Sequence, residues 1–201
     1  MTKIVLASQS PRRKKLLEQI GITFEVHPSD AEEISPHTDP ALLVEDLALL
    51  KAGDVAGNHP ESLVIGADTI VVHQDKVIGK PVDEKEAFEF LSTLSNSTHV
   101  VFTGVTFVKS DKKGQIIKKH SFHEQTKVTF SPLAKDDIHA YINTGNPLDK
   151  AGAYGIQDDL GALFVEKING DYYNVVGFPL NRFYRELKLF MPEVNLIPHN
   201  Q

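Results

Sequence analysis

The stretch Leu63 to Val72, LVIGADTIVV, constrains this chain more than any other. It is rich in β-branched residues and ends at the turn-forming His73-Gln74-Asp75-Lys76. Ten residues fall short of the roughly 20 that a membrane helix needs, so the run reads as the central strand of a sheet. Asp68 stands in its middle. An ionised carboxylate in so apolar a strand costs several kcal/mol, as a rough figure, unless a metal, a cation or hydrogen-bond donors meet it. Gly66 and Ala67, just before it, leave room for another group to approach. A strand-end Asp capping a neighbouring loop is the alternative; the functional reading is preferred.

Strands and helices interleave around this run, which predicts an α/β fold with a mixed sheet. Lys3 to Ala7 is a short buried strand. Ser10 stands where an N-cap belongs, Pro11 at the first helical position, and Gly21 closes the helix. Ile22 to Val26 reads as a strand, and Pro40 to Ala56 as a helix through Leu43, Leu47 and Leu50. A helix over Val82 to Leu94 follows the short strand at Val77-Ile78. His99 to Lys109 and Ile116 to Phe130 form two strands joined through Asp111-Lys112-Lys113-Gly114, a hairpin. Helices are predicted over Ala134 to Asn143 and Pro179 to Phe190. Ala151 to Val165 is Gly-rich, and Asn169-Gly170-Asp171 is a turn. No linker or repeat divides the 201 residues, so a single domain is expected over 1–201.

Several classes of function drop out. With 21 Lys and Arg against 27 Asp and Glu the formal charge is −6, which argues against a basic face for duplex DNA or anionic membrane. The absence of cysteine removes thiol nucleophiles, zinc ribbons and disulfide frameworks. The apolar start, Ile4 to Ala7, is too short for a signal peptide, so a cytoplasmic protein is expected. Gly-Lys-Ser/Thr phosphate loops, His-Glu-x-x-His, Gly-x-Ser-x-Gly and Gly-x-Gly-x-x-Gly are all missing. His120 and His123 read as a solvated pair on opposite sides of a strand.

Four further features carry chemistry. Ser8-Gln9-Ser10-Pro11-Arg12-Arg13 puts two hydroxyls and two arginines at a helix N-terminus, where free amides make an anion site. Cations there oppose the helix dipole, so their presence points to a polyphosphate rather than to stability; an exposed basic turn is the alternative. Gly79-Lys80-Pro81 fixes the backbone around one lysine. Lys51 and Glu33, taken alone, read as solvated. Asp149-Lys150-Ala151-Gly152-Ala153-Tyr154-Gly155-Ile156-Gln157 is either a loop that wraps a ligand or a turn-rich connection.

Together, and in this order, Leu6-Ala-Ser-Gln-Ser-Pro-Arg-Arg13, Lys51-Ala52, Gly66-Ala-Asp-Thr69, Gly79-Lys-Pro81, the Asp149–Gln157 loop and Tyr173-Asn-Val-Val-Gly-Phe-Pro179 resemble the Maf family over residues 3 to about 190. The resemblance implies a nucleoside triphosphate pyrophosphatase, of a family historically linked to septum formation. The implied fold is an elongated, mixed, twisted sheet flanked by helices, with two lobes and a central cleft, related to inosine-triphosphate pyrophosphatases. Members are often homodimers.

Arg12, Thr69 and Gln157 match the branch acting on dTTP and UTP. The 7-methyl-GTP branch differs at these positions. By the same resemblance Asp68 is the general base. Arg13, Lys51 and Lys80 would grip phosphate oxygens with help from Ser8, Ser10 and the helix amides, and Lys150 would join the substrate contacts. Mg²⁺ or Mn²⁺ would sit on Glu33 and Asp68, so whether Asp68 acts as base or metal ligand stays open. A non-catalytic nucleotide-binding regulator of cell division is the alternative of another class. One departure stands out: after Gln157 the chain reads Asp158-Asp159-Leu160-Gly161-Ala162, where relatives have a shorter Gly-rich link.

Overall fold

A computed structural model describes residues 2–158 and 160–193. Seven strands, β1 (Lys3–Leu6), β2 (Glu25–Val26), β3 (Ser62–His73), β4 (Lys76–Ile78), β5 (Thr98–Ser110), β6 (Ile116–Phe130) and β7 (Val165–Asn169), form one mixed sheet. Its order is β2-β1-β3-β5-β6-β7, with β4 also on β3. β1 pairs in parallel with β2 and β3, whereas β3–β4 and β6–β7 are antiparallel. The helices are α1 (Pro11–Gln19), α2 (Pro40–Ala56), α3 (Glu84–Leu94), α4 (Lys135–Ile142), α5 (Tyr172–Val176) and α6 (Leu180–Phe190). The mixed α/β class is therefore as expected.

The chain divides into two compact units. The first takes the residues up to Asp68, Thr103–Glu124 and those from Gly177 on; the second takes Thr69–Phe102 and Gln125–Val176. β3, β5 and β6 each change unit along their length.

In the first unit, α2 lies unusually close to the sheet. A Cβ at Gly66 on β3 would overlap the Ala48 carbonyl and come within 2.9 Å of Ala52 Cβ; one at Gly104 on β5 would overlap the Val44 carbonyl. Val44, Ala48 and Ala52 are all fully buried at four-residue spacing, so a stripe of small or branched residues rides on two glycines. α6 buries Leu180, Phe183, Leu187 and Phe190 on one face, and Phe183 and Phe190 pack on Phe107 with ring centroids 5.5 and 5.4 Å apart. In the second unit Val71, Leu91, Leu94, Phe130, Ile138, Tyr141, Tyr154 and Phe164 share one core.

Local chemistry sets the element ends. Ser10 Oγ accepts from the Arg13 amide, and Asp39 Oδ1 accepts from the amides of Ala41 and Leu42. Gly21, at φ 75°, ends α1 with its own N–H on the Glu18 carbonyl and the Ile22 N–H on the Leu17 carbonyl. That use of Ile22 shortens the predicted strand Ile22–Val26 to Glu25–Val26. Asp83 caps the next helix, so it begins at Glu84 rather than Val82. The Gly-rich stretch holds single 3-10 turns over Ala151–Ala153 and Gly161–Phe164 and runs into β7. Among the described residues no helix is long and apolar enough to cross a membrane.

Candidate active site

The close seat of α2 builds the centre of the first unit. Gly66 and Asp68 lie two residues apart on β3 and so face the same side of the sheet, the side that α2 covers. Docking Ala48 and Ala52 on Gly66 places Lys51 beside Asp68, with Nζ 2.6 Å from Oδ1. Glu33, in the loop after β2, reaches the same ammonium at 3.0 Å. Asp68 is 8% exposed, and Lys51 is shielded in step with it. Of the two residues that read as solvated when taken alone, Glu33 is exposed as expected but Lys51 is not: its ammonium bridges an exposed and a buried carboxylate. Asp68 Oδ2 has no hydrogen-bond partner among the described residues.

The Ser8–Arg13 segment adjoins this pair. Ser8 is buried, and its Oγ accepts from the Ser10 amide and from Arg13 Nη1, both at 3.2 Å. The Arg13 guanidinium also donates from Nη1 to the carbonyl of Ala67 at 2.8 Å and from Nε to that of Gly177 at 3.0 Å. Desolvation pulls its pKa below the ordinary value, Asp68 opposing. Sequence reasoning gave Arg13 to phosphate. In the structure three of its hydrogen bonds fasten the β1–α1 loop, the residue before Asp68 and the start of the last segment. Arg12 sits half-buried one residue earlier on α1.

The second unit holds the other predicted residues. Thr69 follows Asp68 on β3 and is half-buried. Lys80 is exposed and without a partner among the described residues, while the carbonyl of Gly79 before it accepts from the Gly152 amide at 3.0 Å. Lys150, predicted to touch substrate, is instead 7% exposed, its Nζ lying 2.5 Å from the Asn146 carbonyl, 2.7 Å from Asp149 Oδ1 and 3.2 Å from Asp158 Oδ2. An ammonium has three N–H groups, and these acceptors account for all of them. Gln157 is exposed, and its Nε2 donates to Asp158 Oδ1 at 3.2 Å.

Asp158 in this loop and Tyr141 on α4 escaped sequence reasoning as site residues. Asp158 accepts from Tyr141 at 2.7 Å, and the Tyr141 hydroxyl in turn accepts from the Gly155 amide at 3.0 Å. Only the departure after Gln157 signalled Asp158; nothing in the sequence signalled Tyr141. Asp159, the next residue of that departure, lies outside the described residues. The histidines are not a solvated pair: His120 Nε2 meets Glu186 at 2.9 Å and His123 Nδ1 meets Glu45 at 2.6 Å. Among the described residues no cluster of three or more His, Cys, Asp or Glu is arranged to hold a metal ion.

These features define a mixed α/β protein whose central strand carries a lysine-held carboxylate beside an arginine-anchored helix start. A family model described as Maf-like protein matches residues 3–190, and the chain belongs to the Maf family. A protein of Bacillus cereus (strain ZK / E33L) named dTTP/UTP pyrophosphatase is 49% identical over 195 residues, covering 96% of this chain and 98% of its own. One of the same name from Bacillus cytotoxicus is 51% identical over 191 residues, covering 94% and 96%. Among solved structures, a HAM1 protein from Coxiella burnetii is similar with a TM-score of 0.47 at 16% identity, over 65% of this chain and 73% of that one.

Proposed function

We propose that this chain hydrolyses the α–β phosphoanhydride of dTTP and UTP, giving the monophosphate and pyrophosphate. The observation that carries the reading is the buried Asp68 held at 2.6 Å by Lys51, in a chain about half identical to proteins named for this activity. Lys51 fixes Oδ1 and leaves Oδ2 to take a proton from the attacking water. Water oxygen then bonds to the α-phosphorus as the bond to the bridging oxygen breaks, and pyrophosphate departs with that oxygen. The protein's share of such a displacement is positioning and electrostatic stabilisation.

Among the cations, Lys51 lies at the reacting end and Lys80, exposed and unpaired among the described residues, is assigned to phosphate oxygens. Ser8, Ser10 and the α1 amides contribute donors, while Arg13 acts chiefly by holding the backbone on either side of Asp68. Asp68 and Glu33 suit Mg²⁺ or Mn²⁺, because both direct carboxylate oxygens at one cation and Mg²⁺ commonly takes only one or two protein carboxylates beside water and phosphate. Such an ion supplies neutralisation of phosphate charge. Arg12, Thr69 and Gln157 are assigned to the base. Uracil and thymine present N3–H between two carbonyls, and polar groups left unpaired by a wrong base can supply discrimination of about 10⁴, far beyond what a methyl group can. Acceptance of both dTTP and UTP follows. A cytoplasmic setting fits an enzyme of free nucleotides.

The test is pyrophosphate release over a panel of canonical, modified and 7-methylated nucleoside triphosphates with Mg²⁺ or Mn²⁺, run beside Asp68→Asn. Turnover of dTTP and UTP that disappears in the variant is the expected result. Nucleotide binding without any turnover would favour a regulator instead.

A further inference from the structure

Gln157 poses a problem of chemistry. A primary amide is nearly symmetric in shape, with an acceptor on one side and donors on the other. Set against uracil, it would accept from N3–H and donate to O4. Rotated by half a turn, it would serve cytosine equally well, donating to N3 and accepting from the N4 amino group. A freely turning glutamine therefore cannot tell the two bases apart.

In this chain the amide is not free. Its Nε2 lies 3.2 Å from Asp158 Oδ1, and a carboxylate can only accept, so the reversed amide would set two acceptors against each other. The carboxylate is itself held. Its Oδ2 takes the Tyr141 hydroxyl at 2.7 Å and the Lys150 ammonium at 3.2 Å, with the Asp158 side chain 13% exposed. The Asp158 amide donates to the Gly155 carbonyl at 3.1 Å, and its carbonyl accepts from the Ala162 amide at 2.9 Å. A Cβ at Gly155 would come 2.6 Å from Oδ2, so the carboxylate lies directly on the glycine of the loop. Burial, then Asp158, pushes the Tyr141 pKa up and keeps its hydroxyl a donor.

We infer that Asp158 is a specificity-positioning residue, which locks the Gln157 amide with its carbonyl oxygen outward and so makes the loop read a donor at N3 of the base. The inference rests on the assignment of Gln157 to the base. It also gives the buried Lys150 a purpose: its charge holds the carboxylate that holds the glutamine.

The experiment is kcat/KM for UTP and CTP in the wild type, Asp158→Asn, Gln157→Ala and the double variant. The expected result is a UTP-over-CTP ratio reduced about tenfold in Asp158→Asn, as loss of a charge-assisted hydrogen bond would give, and little further reduction in the double variant. An unchanged ratio in Asp158→Asn, with kcat on both nucleotides falling alike, overturns the inference if Gln157→Ala does lower the ratio. An unchanged ratio in Gln157→Ala refutes the base assignment itself. Because Asp158→Asn removes a buried partner of Lys150, the wild type supplies a measurement that needs no variant of Asp158. Of the two side-chain amide protons of Gln157, identified by their loss in Gln157→Ala, one should be shifted downfield of the ordinary glutamine range by the carboxylate. Two protons both at ordinary glutamine shifts would overturn the lock.

Discussion

Gly66→Ala is the sharpest probe of how the fold makes the site. The new Cβ would collide with the Ala48 carbonyl and stand 2.9 Å from both Ala52 Cβ and its amide nitrogen, so backbone rather than a flexible side chain must move. Overpacking of this kind costs about 1–3 kcal/mol. In a domain of this size each kcal/mol lowers Tm by about 2–4 °C, so a loss of about 2–12 °C is expected. Lifting α2 by a few tenths of an ångström also draws Lys51 away from Asp68, now 2.6 Å apart. Turnover should fall at least tenfold, since small misplacements at a reacting group can cost about 10²-fold. Gly104→Ala is the matched control, for it strikes the same helix at Val44, about two turns from Lys51. It should lose similar stability by thermal unfolding and retain more pyrophosphate release per folded molecule. Equal losses of turnover in both variants, or a Gly66→Ala protein with the wild-type Tm, would refute the link between helix seating and chemistry.

Other perturbations follow from the same geometry. Lys51→Met leaves Asp68 buried without its cation and should cost about 3–5 kcal/mol in urea unfolding, much of it recovered by adding Asp68→Asn. Arg13→Lys keeps the charge but loses the fork that spans Ser8, Ala67 and Gly177, so a loss of about 2–4 kcal/mol and a lower kcat are expected from chemical unfolding and rate assays. His99 is fully buried, and burial, then His73, pushes its pKa down to about 3. The unfolded chain, with a histidine near 6.5, binds this proton first, so stability falls as pH drops from 6.5 toward 3, by at most about 1.4 kcal/mol per unit. Urea midpoints measured across that window should show a shallower slope in His99→Phe, and identical slopes would dismiss the assignment.

Much of the architecture was legible because local signals agreed. Ser10-Pro11 and Gly21 name helix ends by chemistry that tertiary packing does not override. The long apolar run could hardly be anything but a central strand. β7 was missed because Val165-Glu-Lys-Ile-Asn leaves most of its side chains exposed, and its place comes from pairing with β6 over Lys127–Phe130. At the site, residue types with few uses were visible, above all Asp68. What the sequence cannot show is which partner each charge finds. Lys51 and Lys150 look alike in the string, yet one bridges Glu33 and Asp68 and the other is spent on its own loop. The first outcome depends on a glycine distant in sequence, Gly66, whose missing side chain decides how near a helix can lie.

The passage of β3, β5 and β6 from one compact unit to the other has an evolutionary consequence. Four chain crossings, at residues 68/69, 102/103, 124/125 and 176/177, mean that neither unit is a continuous stretch of gene. Recombination cannot exchange one half for a homologous half, and truncation cannot shed one while keeping the other. New specificities in such a protein must therefore arise by single substitutions or by small insertions between elements. The segment after Gln157, where the Asp158 carboxylate lies on Gly155, is the kind of place this topology leaves open.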